Sequence, residues 1–135
     1  MRHVSKIIIH CSATPPSMDV DASLIDDWHK ERGWTGIGYH FLIKRDGQIE
    51  IGRPIDKPGA HTKGHNKSSI GVCYVGGVDS DMCPEDNRTS QQISSFLMLL
   101  RLLKNIFPEA LVHGHRDFSS KACPSFDATS EYKNL

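Results

Sequence analysis

The sequence predicts an α/β fold in which a single domain, residues 1–135, has a central mixed β-sheet flanked by helices. Three observations support this prediction. The length of 135 residues fits one domain that can bury a core of its own. Short β-branched runs alternate with longer segments of helical periodicity, as in proteins whose helices pack on a sheet. No internal repeat, linker or low-complexity segment divides the chain.

The N-terminal half predicts a strand, a helix and a hairpin. The apolar run that ends at His10 indicates a short buried strand. After a turn-rich loop, Asp21 or Ser23 can cap a helix that Gly33 ends. An Asp-Gly pair at 46–47 between two alternating segments indicates a hairpin turn. The expected elements are a strand over 7–10, a helix with Leu24, Ile25 and Trp28 on its buried face, and strands over 39–43 and 48–51.

The C-terminal half predicts a strand, a helix and a strand after a long loop. Residues 52–68 form an irregular segment of the kind that often carries binding function in compact domains. Residues 69–75 indicate a buried strand, and Thr89 and Gln92 form a capping box that opens the longest helix, which Pro108 ends. A strand over 110–112 follows. The helix side chains expected in the core are Ile93, Phe96, Leu97, Leu100, Leu103 and Phe107.

Composition and charge argue against two classes of partner. Sixteen basic and sixteen acidic side chains cancel, and the pI is about 7.1. This balance gives no electrostatic reason to expect a nucleic acid or an anionic membrane as partner. No apolar run approaches the ~20 residues that a membrane helix needs, and no basic-then-apolar leader opens the chain. We therefore expect no membrane insertion, synthesis in the cytoplasm without a signal peptide, and a monomer.

The densest group of candidate metal ligands lies in segment 113–127. His115 stands eight residues before Cys123, and imidazole with thiolate is a ligand pair that suits Zn²⁺. A catalytic zinc site usually takes three protein ligands and keeps one open position, so a third ligand must come from elsewhere. His10, at the end of the first strand, is the best candidate. Alternatively, Cys123 is a buried thiol and the histidines are ordinary loop residues.

The other cysteines indicate reduced thiols without a structural zinc site. The four cysteines, at 11, 73, 83 and 123, form no CxxC pair, and a chain without a leader argues against disulfides. Cys73 lies in a predicted strand and is expected in the core. Successive side chains of a strand point to opposite faces, so Cys11 must point away if His10 is a ligand.

Seven blocks of sequence match a known family in order. They begin with His-Cys-Ser-Ala-Thr at 10–14 and Gly-Tyr-His-Phe at 38–41, and they end with Lys-Ala-Cys-Pro-Ser-Phe-Asp at 121–127. On these residues the chain resembles the type 2 N-acetylmuramoyl-L-alanine amidases, in the branch of the short bacteriophage lysozymes (endolysins), relatives of the peptidoglycan recognition proteins. The resemblance covers nearly the whole chain and implies the amidase type 2, peptidoglycan-recognition-like fold. The remaining blocks are 44–47, 59–61 with Gly64 and Asn66, 69–73 and 76–77.

The resemblance implies one Zn²⁺ per chain, held by His10, His115 and Cys123. His113 competes with His115, because residues i and i+2 of a strand share a face and local physics does not choose between them. The family spacing, with a histidine eight residues before the cysteine, selects His115. His113 is then expected to have a supporting or structural role.

The resemblance also implies an activity and two catalytic side chains, Tyr39 and Lys121. The activity is hydrolysis of the amide between N-acetylmuramic acid and L-alanine in peptidoglycan, by an endolysin that reaches the cell wall after release, for example through a holin. The ammonium of Lys121 can stabilise a developing oxyanion. The phenol of Tyr39 acts either as a base with a depressed pKa or only as a hydrogen-bond donor. Without the family blocks, Tyr39 would be a core aromatic and Lys121 a solvated charge.

The remaining histidines and one asparagine divide between groove and surface. His61 and Asn66 lie in the long loop and are expected to contact the peptidoglycan substrate; the alternative is that they make loop-stabilising hydrogen bonds. His40 follows Tyr39 and is expected to face the opposite way. The histidines expected at the surface are His3, His29 and His65.

Two other functions compete with a zinc amidase. A cysteine peptidase would use Cys123 as nucleophile with His115 or His113 as base. Pro124 has no N–H to give, which argues against a helix start that lowers the pKa of that thiol. A catalytically silent peptidoglycan-recognition module is the second alternative; such relatives tend to lose a zinc ligand, whereas this chain retains all three positions.

Overall fold

The computed structural model describes residues 2–135, and within them it has five strands and three α-helices. The elements are β1 Lys6–Cys11, α1 Ala22–Glu31, β2 Phe41–Ile43, β3 Ile49–Ile51, β4 Ser69–Tyr74, α2 Ser90–Ile106, β5 Leu111–Gly114 and α3 Ala128–Glu131. Single 3₁₀ turns occur at Asn66–Ser68, before β4, and at His115–Asp117, after β5. The five predicted strands and two predicted helices are confirmed, and α3 is an element that the sequence did not predict.

All five strands form one mixed sheet in the order β3-β2-β4-β1-β5. Strands β2 and β3 form an antiparallel hairpin, and the other neighbouring pairs are parallel. The register places His10 beside Cys73 and Ile9 beside Gly114. Because the carboxyl ends of parallel strands lie at the same edge of a sheet, the segments that follow β1 and β5 meet there.

Alternate side chains of the sheet enter two separate cores. On one face, Ile9 of β1 packs in a cluster that includes Phe96 of α2. On the opposite face, Cys73 of β4 packs in a smaller cluster with Ile25 of α1. His10 follows Ile9 directly, so the period-two alternation of a strand turns its imidazole to the α1 side.

Helix α2 starts as predicted, but its buried face is narrower than predicted. The side chains of Thr89 and Gln92 each accept from the other's backbone N–H, which makes the predicted capping box. Ile93 and Leu97 were expected in the core but are 45% and 37% exposed. At 100° per residue they lie to one side of the line of contact with the sheet. The buried residues of α2 are Gln92, Phe96, Leu99, Leu100 and Leu103.

Helix α1 contains a histidine that the sequence placed on the surface. Asp21 caps the helix with its carboxylate, and Gly33, with φ of +88°, follows its end. The prediction that His29 lies at the surface is wrong, because it is only 4% exposed. It stands one turn after Ile25 on the buried face, and its Nδ1 accepts a hydrogen bond of 2.8 Å from the backbone N–H of Gly38. An imidazole can take a core position when its ring nitrogen is paired in this way.

The hairpin strands are shorter than predicted. Tyr39 and His40 precede β2, and Gly47 occupies the turn with φ of +89°. The backbone N–H and carbonyl of His40 still bond to Gly71 and Gly52, so the chain runs alongside β4 before the regular strand begins.

No helix among residues 2–135 combines the length and the apolar character that crossing a membrane requires.

Candidate metal centre and groove

Three residues that are far apart in sequence meet at the carboxyl edge of the parallel strands. His10 is the second-last residue of β1 and is 1% exposed. His115 begins the 3₁₀ turn after β5, and the centre of its ring lies 4.6 Å from the centre of the His10 ring. Cys123 reaches the same point from the following loop. One ligand atom of each residue lies within 4.8 Å of those of the other two.

The donor set fits a zinc ion. The Sγ of Cys123 lies 3.9 Å from the Nδ1 of His10. With Zn–S of about 2.3 Å and Zn–N of about 2.0 Å, tetrahedral sulfur and nitrogen ligands lie roughly 3.6 Å apart. Two imidazoles and one thiol leave a fourth position for solvent or substrate, as catalytic zinc sites do. No carboxylate belongs to the cluster, which matches zinc better than a hard cation such as Mg²⁺ or Ca²⁺.

Backbone contacts fix the loop that carries Cys123. The N–H of Arg116 donates to the carbonyl of Cys123 at 2.7 Å and closes the loop between the two ligand positions. The N–H of Cys11 donates to the Sγ of Cys123 at 3.1 Å. The hydroxyl of Tyr74 donates to the carbonyl of Pro124 at 2.7 Å. The sulfur is therefore held in place from both the sheet and its own loop.

The surroundings keep the imidazoles neutral. Burial lowers the pKa of His10 well below its usual value, and the neighbouring His61, His115 and Lys121 lower it further. Burial and then the charge of Lys121 lower the pKa of His115. Neutral imidazole is the form that binds a metal ion. Contact with the Cys11 thiol and burial raise the pKa of Cys123.

The structure separates the two competing histidines of the last strand. His115 lies with His10 and Cys123, because the 3₁₀ turn bends the chain after β5. His113 stays in β5, and its ring packs 5.3 Å from the ring of Phe118, whose other neighbour is His65 at 4.2 Å. The expectation that i and i+2 share a face does not apply, since only His113 has strand geometry.

Tyr39 lies beside the cluster as an uncharged phenol. Its ring centre is 5.0 Å from that of His10. Burial raises the pKa of Tyr39 well above its usual value, and the nearby thiols of Cys73, Cys123 and Cys11 raise it further. Of the two roles left open by the sequence, this environment favours a hydrogen-bond donor over a tyrosinate base.

A groove of about 510 Å³ opens beside the three candidate metal ligands. Lys63 and Lys121 contribute two ammonium groups to its lining, which contains no carboxylate. Trp34 supplies an exposed aromatic surface at one side. His115 lines the groove as well, so the groove is continuous with the ligand cluster. The arrangement can hold an anionic or carbonyl-rich chain against the three ligands.

His61 and Asn66 line this groove, but the ring nitrogens of His61 and the Oδ1 of Asn66 already have protein partners. The Oδ1 of Asn66 accepts from the N–H of His61 at 2.9 Å and from the N–H of Thr62 at 3.0 Å. The Nδ1 of His61 lies 2.9 Å from the Nε2 of His10. The loop-stabilising alternative is thus observed for Asn66, and the substrate contacts of both residues stay a prediction. No feature of the sequence predicted the contact between the imidazoles of His10 and His61.

Known proteins resemble the chain over most of its length. A family model described as N-acetylmuramoyl-L-alanine amidase matches residues 1–126. An endolysin of Klebsiella phage KP32 is 48% identical over 126 residues, which are 93% of this chain and 83% of that protein. The solved structure of the N-acetylmuramoyl-L-alanine amidase LysC from Clostridium intestinale URNW has a TM-score of 0.84 at 32% identity, covering 96% of this chain and 82% of the other. A mutant of Drosophila PGRP-LB in complex with tracheal cytotoxin gives a TM-score of 0.82 at 25% identity, covering 100% and 83%.

Proposed function

Because the chain belongs to the N-acetylmuramoyl-L-alanine amidase family, in the phage endolysin branch related to the peptidoglycan recognition proteins, we propose that it uses one Zn²⁺ to degrade the cell wall. The bond cleaved is the amide between N-acetylmuramic acid and L-alanine, and the biological result is lysis of the host cell. The observation that carries the proposal is the convergence of His10, His115 and Cys123, whose ligand atoms lie within 4.8 Å of one another.

His10, His115 and Cys123 would hold the metal beside the groove, which His115 lines. When bound, Zn²⁺ supplies Lewis acidity, which polarises a carbonyl and activates water for attack. His10 comes from β1, His115 from the 3₁₀ turn after β5 and Cys123 from the loop that follows, so the three side chains already lie together without a metal. With the metal bound, Cys123 would contribute negative charge as a thiolate, to whose sulfur the N–H of Cys11 donates.

Lys121 acts on the reacting carbonyl. It lies two residues before Cys123, and its charge reaches both His10 and His115 strongly enough to lower the pKa of each. Attack on an amide places negative charge on the carbonyl oxygen, and a positioned donor of this kind contributes about 3–4 kcal/mol to lowering the barrier. Tyr39 keeps its proton and donates a hydrogen bond to the attacking water or to the tetrahedral intermediate.

The groove binds the muropeptide. Lys63 and Lys121 supply positive charge for the carboxylates of a stem peptide, and Trp34 supplies an aromatic surface for packing. His61 and Asn66 are the further groove contacts that the sequence led us to expect. That a mutant of the structurally similar Drosophila PGRP-LB was solved in complex with tracheal cytotoxin supports a ligand-binding role for this fold. The protein is proposed to act as a monomer on the wall after release from the cytoplasm.

The proposal is tested by metal analysis combined with digestion of purified sacculi. We expect one zinc per chain and release of stem peptides that begin with a free L-alanine amino group, identified by mass spectrometry. Removal of zinc with a chelator should abolish release, and added zinc should restore it. Release that persists after complete zinc removal would contradict the metal mechanism and favour a cysteine peptidase. Zinc binding without release would favour a silent recognition module.

The role of Lys121 is tested with a second groove lysine as control. The Lys121→Ala variant should keep its zinc and lose about 10²–10³-fold in turnover, because it lacks the donor to the oxyanion. Lys63→Ala removes another exposed ammonium from the same groove, so it should mainly raise KM. Tyr39→Phe should fall between the two. Full turnover of Lys121→Ala on intact sacculi would show that its assigned role is wrong.

A further inference from the structure

We propose that His61 is a positioning residue for the metal centre, one that fixes the tautomer and ring orientation of His10. The inference rests on the proposed zinc site and adds to it a residue that binds no metal and carries out no chemistry. It also gives a function to the long loop 52–68 that is separate from contact with the substrate. The contact between the two imidazoles carries the inference.

The two rings meet nitrogen to nitrogen. The Nε2 of His10 lies 2.9 Å from the Nδ1 of His61, and the ring planes are nearly perpendicular at 89°. The other nitrogen of His10, Nδ1, faces the sulfur of Cys123. A neutral imidazole carries one proton on two nitrogens, so the nitrogen that binds a metal must leave the proton on the other. His10 therefore donates through Nε2 and presents a lone pair at Nδ1.

The surroundings of His61 suit it to act as the acceptor. If its Nδ1 accepts from His10, its proton lies on Nε2, and the hydroxyl of Ser69 stands 3.3 Å from that nitrogen. Thr62 offers a second polar neighbour, with Oγ1 at 3.0 Å from the Nδ1 of His61 and 3.3 Å from the Nε2 of His10. A directed chain of hydrogen bonds thus runs from the ligand cluster through two imidazoles to β4. Partners of this kind commonly orient metal-binding histidines and raise their basicity.

Two glycines leave the space that the His61 ring occupies. A Cβ at Gly71, in β4, would come within 2.7 Å of Cγ and Cδ2 of His61. A Cβ at Gly59 would come within 2.6 Å of the same Cδ2. Asn66 holds the backbone on each side of the ring through its contacts with the N–H groups of residues 61 and 62. The ring is thus clamped between loop and strand with its Nδ1 directed at His10, as positioning demands.

A binding role alone would not produce these contacts. A groove residue presents its polar atoms to the ligand, whereas both ring nitrogens of His61 already face protein groups. Neither ring nitrogen is therefore left free for a ligand in the groove.

A pair of substitutions separates the acceptor from the bulk of the ring. In His61→Asn the amide oxygen can take the place of Nδ1, whereas in His61→Gln it lies one bond farther out, near the place of Nε2. We expect the Asn variant to bind zinc almost as the unmodified protein does. The Gln variant should bind about 10–100-fold more weakly in competition with a chromophoric chelator, as for other lost partners of metal-binding histidines. His61→Leu, which has no acceptor, should match the Gln variant.

Cobalt supplies a readout that a structural role would not change. The visible spectrum of the Co²⁺-loaded protein reports ligand geometry, so it should differ in the Gln and Leu variants and be retained in the Asn variant. Thermal unfolding of the metal-free proteins controls for folding, and the Asn–Gln pair keeps the test valid if the Leu variant does not fold. Equal zinc affinity and equal cobalt spectra for all variants, with only KM changed, would overturn the inference and make His61 a groove contact. An unmodified protein that binds no zinc would instead overturn the proposed function, and this inference with it.

Discussion

The two faces of the sheet are built on different principles. The face toward α2 is closed by apolar packing, in which Phe96, Tyr74 and Phe126 meet with ring centres 5.8–6.4 Å apart. The face toward the groove contains a row of imidazoles, whose ring centres lie 4.6–5.9 Å apart. We call this row the imidazole cluster; its members are His10, His40, His61 and His115.

The comparison shows where stability and function divide in this chain. Apolar packing is non-directional and scales with the area removed from water, so the α2 side tolerates changes of shape better than loss of volume. In the imidazole cluster each nitrogen needs a partner in a fixed direction, and a displacement of one ring propagates to the next. Substitutions on the α2 side should therefore lower stability, whereas those in the imidazole cluster should change zinc affinity, activity and pH dependence.

The largest effect is expected for Cys123→Ser. A hydroxyl is a poor zinc ligand beside a thiolate, so this variant should lose zinc and activity together. Stability should change much less, because the side chain is small and partly exposed. Metal content and sacculus digestion measure the first effect, and urea unfolding of the metal-free protein measures the second. A Cys123→Ser variant that retains zinc and activity would remove the basis for treating the groove side as a metal centre.

The opposite pattern is expected for Phe96→Ala on the α2 side. Phe96 is fully buried, and its ring contacts Tyr74, Phe126 and Tyr132. Truncation should lower the free energy of unfolding by about 3–5 kcal/mol, from lost transfer energy and the cavity left behind. The folded fraction should still bind one zinc per chain, because no member of the imidazole cluster touches this ring. Loss of zinc from protein that is still folded would show that the two faces are coupled.

The α2 side could be predicted from the sequence more completely than the groove side. Periodicity located every strand and both long helices, because a buried face repeats along the chain. The same rule misplaced Ile93 and Leu97, since it gives the direction of a helix face but not the width of the contact. The prediction for His29 failed for a related reason. Histidine is a polar residue, and the hydrogen bond from the N–H of Gly38 offsets the cost of burying its ring.

Prediction of the three metal ligands required the family sequence blocks in addition to local physics. The family spacing chose His115 over His113, whereas the physical basis of that choice is the 3₁₀ turn after β5, which the sequence did not predict. The link between His10 and His61 spans 51 residues and depends on the missing side chain of Gly71. Local sequence patterns do not predict such contacts, because the loop and the strand meet only in the folded chain.

A smaller effect, confined to acidic pH, is expected from His40. Burial lowers its pKa to about 4, against 6.5 for an exposed histidine, and Arg2 and Arg53 lower it as well. The unfolded chain therefore takes up this proton first, so the contribution of neutral His40 to stability is complete above pH 6.5 and is lost as pH falls toward 4.

The His40→Asn variant tests this contribution. It keeps an acceptor near the N–H of Gly71 but cannot titrate, so the fall in unfolding free energy between pH 6.5 and 4.5 should be shallower. One group accounts for at most about 1.4 kcal/mol per pH unit. Urea unfolding of the metal-free protein at several pH values measures the slope, and His3→Asn, at an exposed position, serves as control. Parallel curves for His40→Asn and the unmodified protein would show that the burial of this ring does not shape the acid response.

The smallest effect is expected for Leu97→Gln, on the side of α2 that the sequence wrongly assigned to the core. Leu97 is 37% exposed, and glutamine is a comparable helix former, so the change in unfolding free energy should stay within about 0.5 kcal/mol. Leu100→Gln, three residues further on and fully buried, is the matched control and should cost several times more, because it buries an amide without partners. Similar losses for both variants would mean that Leu97 is covered in solution, and the boundary between the apolar core and the exposed face of α2 would have to be redrawn.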